Sequence, residues 1–200
     1  MLALYFAPDT ISLASMIVLE EIGASYETVR IDFAKTEQRS PQYLKVNPKG
    51  RMPALVTEQG LLTETPALLV YLAQRFRRPE LALMDDAFGF AQVQSFNAYL
   101  CSGLHINHAH RMRGPRWVDG GDTAAIAAMQ KHVPVAVGAN YDFVENESFK
   151  GPWVMGEHYT ICDPYLFTLA QWLEQDGVDP ARIPKVMDHR RRMSQRPAVR

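Results

Sequence analysis

Asn47-Pro48-Lys49-Gly50-Arg51-Met52-Pro53-Ala54-Leu55-Val56 and, just beyond it, Leu62-Thr63-Glu64-Thr65-Pro66 describe a loop, a short apolar strand, a turn, a second strand and an abrupt helix start. Pro53 has no N–H to give a sheet ladder, so it belongs at a strand's first residue. The Met52-Pro53 bond admits the cis form, which turns the Met52 backbone sideways. A small ligand with amide groups of its own then pairs with that backbone as an added strand would. Thr65 is placed to cap a helix and Pro66 to be its first residue. The unsatisfied amides at such a start make a carboxylate seat, and Glu64 beside it can hold an ammonium group. Backbone dock, anion seat and cation partner together suit a γ-glutamyl peptide.

On the N-terminal side, Leu2 to Phe6 reads as a buried strand and Ser12 to Ile22 as a helix that stops at Gly23. Tyr26 to Ile31 alternates as a second strand, and one helical turn is expected around Gln42 to Val46. Glu58-Gln59-Gly60 is a hairpin turn signal between Ala54–Thr57 and Leu61–Thr63, and Pro66 to Phe76 is a helix. The order βαβ then ββα predicts a mixed four-stranded sheet, with one parallel pair and an antiparallel hairpin, covered by helices. Residues 1–76 are therefore expected to form an α/β domain. Residues 77–86, with Arg77-Arg78-Pro79-Glu80, read as a linker. Residues 87–200 read as an all-α domain, with helices at 87–112, 124–147, 163–176 and 183–194.

Two hundred residues, 47% of them apolar, are ample for a buried core. A net charge of −1 gives no electrostatic case for nucleic acid or an anionic membrane. Cys101 and Cys162 form neither a CxxC nor a metal spacing. The start, MLALYFAPDT, lacks a basic region and its apolar run is short for a signal peptide, so a reducing cytoplasm is expected. No run reaches the length of a membrane span. Thr160-Ile161-Cys162-Asp163 before an apolar helix is an S/T-x-x-D capping box, read as a structural and folding element.

These motifs together resemble the cytosolic glutathione S-transferase superfamily. The carrying residues are Val46-Asn47-Pro48-Lys49-Gly50-x-x-Pro53-Ala54-Leu55, Leu62-Thr63-Glu64-Thr65 and Thr160-Ile161-Cys162-Asp163-Pro164-Tyr165-Leu166-Phe167. The start Ala7-Pro8-Asp9-Thr10-Ile11-Ser12-Leu13-Ala14 is similar to the bacterial beta-class opening S-P-G-A-C-S-L-A. The likeness runs the length of the chain, to Arg196-Pro197-Ala198-Val199. It implies a thioredoxin-like N-terminal domain with a helical C-terminal domain, a homodimer, and glutathione as co-substrate with a small electrophile. It further implies that the Met52 backbone, before Pro53, pairs with the cysteinyl unit, and that Glu64 and Thr65 hold the γ-glutamyl end. Lys35 falls where a family lysine meets the glycine carboxylate. His105 matches a histidine that reaches the site from the dimer partner. The family asparagine before it falls at Ala98, with Asn97 beside it. The beta-class cysteine falls at Ile11, and Cys101 and Cys162, both in the helical half, are not expected to replace it.

Glutathione transfer needs a thiolate, and a free thiol with a pKa of about 8.5 is mostly protonated at neutral pH. Hydrogen bonds at a helix start lower that value. Thr10 and Ser12 are the candidate donors and Ser12, beside the cysteine position, is preferred; a serine there is equally well read as a simple helix cap. Tyr5 reads as core. His105-x-x-His108 lacks a nearby acid, the next being Asp119, so no metal is expected. His108, Arg111 and Arg113 form a polar stripe with two open readings: a seat for an anionic second substrate, or a solvated helix end. Arg190-Arg191-Arg192 reads as a solvated face. The leading expectation is conjugation of glutathione to an electrophile. Glutathione-dependent isomerisation or dehalogenation is an alternative, and so is a transferase-like binding protein with little turnover, which Ile11 favours. The absence of CxxC disfavours thioredoxin-type redox activity.

Overall fold

The computed structural model describes the whole chain, residues 1–200. Its first part contains β1 (Ala3–Phe6), α1 (Ser12–Glu21), β2 (Glu27–Arg30), α2 (Pro41–Val46), β3 (Ala54–Thr57), β4 (Gly60–Thr63) and α3 (Thr65–Arg75). The strands form one mixed sheet in the order β2-β1-β3-β4. β1 runs parallel to β2, with Leu4 opposite Thr28, and antiparallel to β3, with Leu4 opposite Leu55. The β3–β4 hairpin is antiparallel and turns at Gly60, whose φ of 128° suits glycine. Leu4 and Leu55, paired at the sheet centre, are fully buried. α3 buries Leu68, Leu69, Leu72 and Ala73 along one stripe, the spacing of a helix lying on a sheet. This is the thioredoxin-like arrangement expected.

The second part is helical: α4 (Ala87–Tyr99), α5 (His105–Ala109), α6 (Thr123–Phe143), α7 (Cys162–Ala170) and α8 (Pro184–Ser194). The helix expected over 87–112 is interrupted. Residues Leu100–Leu104 form a π turn, with the His105 N–H donating to the Leu100 carbonyl. A second π turn, Val144–Ser148, extends α6. α7 ends earlier than expected, at Ala170, and turns carry the chain to Gly177 at φ 73°. Every residue of α7 is buried, as befits a helix apolar on all sides at the centre of the molecule. One apolar cluster runs from Leu2 to Val186, so the sheet and the helices share a core. The stretch expected as linker is packed: Leu81 and Ala82 are buried, and the Ile161 N–H donates to the Leu81 carbonyl at 2.7 Å.

The turn before α7 is organised by Asp163. Its Oδ2 accepts from the Thr160 N–H at 2.7 Å, the half of the capping box in which the acid reaches back. The Thr160 hydroxyl accepts from Cys162, at 3.3 Å, rather than from Asp163. Asp163 Oδ1 also accepts from the Val154 N–H at 2.9 Å and from His189 Nε2 at 3.0 Å, tying α8 to α7. Arg190, Arg191 and Arg192, expected as solvated, are ion-paired with Glu174 and Asp188.

Candidate functional site

A cavity of about 450 Å³ lies between the loops at one edge of the sheet and the α4–α5 arm of the helical part. Its sheet side is shaped by the loop before β3. Asn47 is buried, with its Nδ2 donating to the Arg51 carbonyl at 2.8 Å and its Oδ1 accepting from the Lys49 N–H at 3.1 Å. The Tyr43 hydroxyl donates to the same Arg51 carbonyl at 2.7 Å. Gly50 has a φ of 59°, and a Cβ there would stand 2.8 Å from the Gln38 carbonyl. Glycine thus lets the loop close on residues 38–39 and brings Arg39 to the cavity. Met52-Pro53 is cis, and both residues line the space.

α3 begins one residue earlier than expected. Glu64 is the N-cap, at φ 70° and ψ 114°, with no side-chain cap, and Thr65 is the first helical residue. The Thr65 hydroxyl is therefore not spent on capping, and Thr65 lines the cavity at the start of α3, where helix amides lack intrahelical partners. A non-glycine residue at such a φ is backbone strain held by its surroundings, and strain of this kind gathers at binding sites. The Glu64 carboxylate meets Lys49 Nζ at 2.6 Å.

The two candidate hydroxyls separate. Thr10 lines the cavity, whereas Ser12 is fully buried and does not. Ser12 Oγ accepts from the Ala7 N–H at 3.4 Å and lies 3.1 Å from the Ala7 carbonyl, sealed beneath the loop. Thr10 Oγ1 donates to the Ala7 carbonyl at 2.8 Å and lies 2.7 Å from Ser12 Oγ. The geometry corrects the preference for Ser12: α1 turns its first residue inward and leaves Thr10, two residues before it, at the surface.

On the helical side, Cys101, His105, His108, Ala109 and Met112 face the cavity at helical spacing. His105 lines the cavity of its own chain, its ring tilted 36° against Trp172 with centroids 5.7 Å apart. Cys101, although it lies in the helical half, reaches the same space, because the arm crosses the sheet edge. His108 is buried, and its Nδ1 bonds both oxygens of Asp176, at 2.9 and 2.7 Å. The acid missing nearby in the sequence thus arrives from the turn after α7. Arg111 is drawn to that carboxylate, Nε 3.0 Å from Asp176 Oδ1, and does not line the cavity. Arg113 does, with its guanidinium over the Phe33 ring at 5.6 Å. Lys35 also lies outside: its exposed amine is 3.6 Å from Asp32. No group of three or more His, Cys, Asp or Glu side chains is arranged to hold a metal.

A family model described as the N-terminal domain of glutathione S-transferase matches residues 1–74. Glutathione S-transferase GstA of Escherichia coli O157:H7 is 30% identical to this chain, covering 98% of it and 94% of its own length. The chain belongs to the glutathione S-transferase family. Among solved structures, a glutathione transferase homologue from Sulfitobacter with bound glutathione superposes at a TM-score of 0.95 and 44% identity, over 100% of this chain and 95% of that one. A bacterial beta class glutathione S-transferase from Sphingomonas chungbukensis gives 0.79 and 29%, over 98% and 94%.

The cavity of this glutathione S-transferase is cationic. Arg39, Arg51, Arg113 and Arg116 all line it. Sequence reasoning missed Arg39, Arg51 and Asp176 as site residues. Arg51 sat inside the opening stretch, next to Met52, and could have been found there. The Arg116 guanidinium is pushed below its usual value, first by burial and then by Arg51, Arg113 and Arg39. His105 is pushed down to about 4, first by burial, then by His108, Arg116 and Arg51. Its ring should therefore stay neutral down to about pH 5, which an NMR titration of the histidines checks. The unfolded chain takes up this proton first, near 6.5, so His105 withdraws stability as the pH falls from there toward 4. His105→Gln should flatten the acid limb of the stability curve over that window; an unchanged limb would contradict a buried neutral ring.

Proposed function

We propose that this protein conjugates the thiolate of glutathione to a small electrophile in this cavity. The observation that carries the reading is the convergence of the Met52–Pro53 loop, the Glu64–Thr65 helix start and the Thr10 hydroxyl on one cationic space. In this reading the Met52 backbone pairs with the cysteinyl unit. The Thr65 end of α3 takes the γ-glutamyl carboxylate. Glu64 takes the ammonium in exchange for Lys49. Arg39 or Arg51, rather than Lys35, meets the glycine carboxylate. Thr10 donates to the sulfur. The positive lining favours the ionised form of the thiol. Ile11 leaves no thiol at the beta-class position, so the route is direct attack by glutathione sulfur. Assembly as a homodimer in a reducing cytoplasm belongs to the same proposal. No helix of the chain is long and apolar enough to cross a membrane.

Ultraviolet difference absorbance of bound glutathione across pH tests it. The bound thiol should ionise at least about one unit below its solution value near 8.5. Binding without any downward shift would overturn the transferase mechanism. No binding at millimolar glutathione would overturn the site itself.

A further inference from the structure

Where the glycine end of glutathione is seated, on Arg39 or Arg51, the cavity gathers more positive charge than one carboxylate can meet. Arg39 Nη1 stands 3.0 Å from the place a Cβ would take on Gly50, so its guanidinium lies against the residue before Arg51. Arg113 reaches over from the helical arm, its guanidinium 5.6 Å above the ring of Phe33, which lines the cavity from the loop after β2. Arg116 belongs to the turn Gly114–Arg116 that follows the arm. Its guanidinium is pushed down first by burial and then by Arg51, Arg113 and Arg39, which stand close enough to repel it. Loops of the α/β part and a turn of the helical part thus bring four cations to one end of the cavity.

No carboxylate of the chain neutralises them. Elsewhere Arg75 pairs with Glu58, Arg182 with Asp142, Arg190 with Glu174 and Arg196 with Glu21. Arg39, Arg51, Arg113 and Arg116 make no ion pair. The acids lining the cavity are Asp9 and Glu64, and Lys49 holds Glu64. Like charges gathered without a counter-charge repel one another, and a bound anion relieves the repulsion. A carboxylate takes one guanidinium as a fork or two side by side, so a single carboxylate leaves at least half of this group without a partner. Arg39 and Arg51 are exposed, so the ligand end they surround opens to water and a side chain added there has a way out.

We propose that this protein prefers γ-glutamylcysteinyl peptides whose last residue is acidic, with Arg39 and Arg51 on its α-carboxylate and Arg113 and Arg116 on its side-chain carboxylate. The assignment rests on the seat given to glutathione above. The γ-glutamyl end and the sulfur keep their places, and only the C-terminal residue gains a contact. Because the two arginine pairs come from opposite sides of the cleft, such a peptide also ties the helical arm to the loops of the sheet.

Calorimetry on the full chain with three S-methylated peptides, glutathione itself and the same peptide ending in glutamate or in glutamine, tests it. The methyl group removes the thiol, so the ranking is independent of thiolate activation. The glutamate peptide should bind about fivefold or more tightly than the glutamine peptide, which matches it in size. The gap should narrow as salt is raised. Arg113→Met with Arg116→Met should bring the two peptides to equal affinity. Should that variant fail to fold, Arg116→Gln alone should still narrow the gap by about twofold. Equal affinities in the wild-type protein, with S-methylglutathione still bound, overturn the second carboxylate seat. A gap undiminished in the folded variants overturns its assignment to Arg113 and Arg116. Failure of the glutathione reading would look different: none of the three peptides would bind at millimolar concentration. Failure of the transferase mechanism alone would leave the ranking intact, with bound glutathione keeping its solution pKa.

Discussion

Asp163→Ala should lower the free energy of unfolding by about 3–5 kcal/mol, a large share of the roughly 5–15 kcal/mol that holds a folded protein together. The carboxylate is fully buried and receives hydrogen bonds from the Thr160 and Val154 amides and from His189 Nε2. Removing it strands two backbone donors and a ring N–H inside the core, and each stranded donor carries a desolvation penalty of about 1–3 kcal/mol. His189 has no alternative, since its Nδ1 is already buried without a partner. Thr160→Ala is the matched control. It removes the acceptor for the Cys162 amide and one hydroxyl donor to Asp163 Oδ2, both at 3.3 Å, leaves the other donors to the carboxylate in place, and should cost about 1 kcal/mol. Urea unfolding of both variants decides the matter. A loss under about 1 kcal/mol for Asp163→Ala would mean that α7 and α8 are held together by packing alone.

The second large effect concerns the thiol. Thr10→Val keeps the side-chain shape and removes the hydroxyl. The bound glutathione pKa should rise by about one to two units, since a hydrogen bond to a charged group contributes about 1.5–3 kcal/mol. Turnover at neutral pH should fall at least about tenfold. Thr10 has one hydrogen, and in the free protein it points to the Ala7 carbonyl. When that hydrogen turns to sulfur, the Ser12 hydroxyl, 2.7 Å away, can donate to Thr10 Oγ1 and strengthen it as a donor. Ser12→Ala should therefore weaken activation by a smaller factor and also lower stability, because the buried Ala7 N–H loses its acceptor. Equal activity losses in the two variants would argue against Thr10 as the donor that meets sulfur.

Where a feature depends on neighbours in sequence, it was legible. Pro53 at the head of β3, Gly60 in the hairpin, Gly23 after α1 and the stripe Leu68-Leu69-Leu72 all act over a few residues, and the sheet follows from them. The Thr160–Asp163 box was readable for the same reason. Its bonds to Val154 and His189 were not, since nothing local announces partners that arrive with other elements. His108 and Asp176 are separated by all of α6 and α7, so their pairing exists only after the helices pack. Thr10 and Ser12 are two residues apart, and only the helix phase at α1 decides which one sees the cavity. Lys35 was placed by likeness alone, and the chain there folds back so that the amine finds Asp32 instead.

The π turn at Leu100–Leu104 bears on how this chain is compared with its relatives. A π turn absorbs one extra residue in a helix while leaving the residues on either side facing as before. Asn97 stands eight positions before His105, whereas the family asparagine, falling at Ala98, stands seven. Asn97 is fully buried with neither end of its amide partnered in the chain, whereas Ala98 is exposed, so it is Asn97 that the arm turns inward.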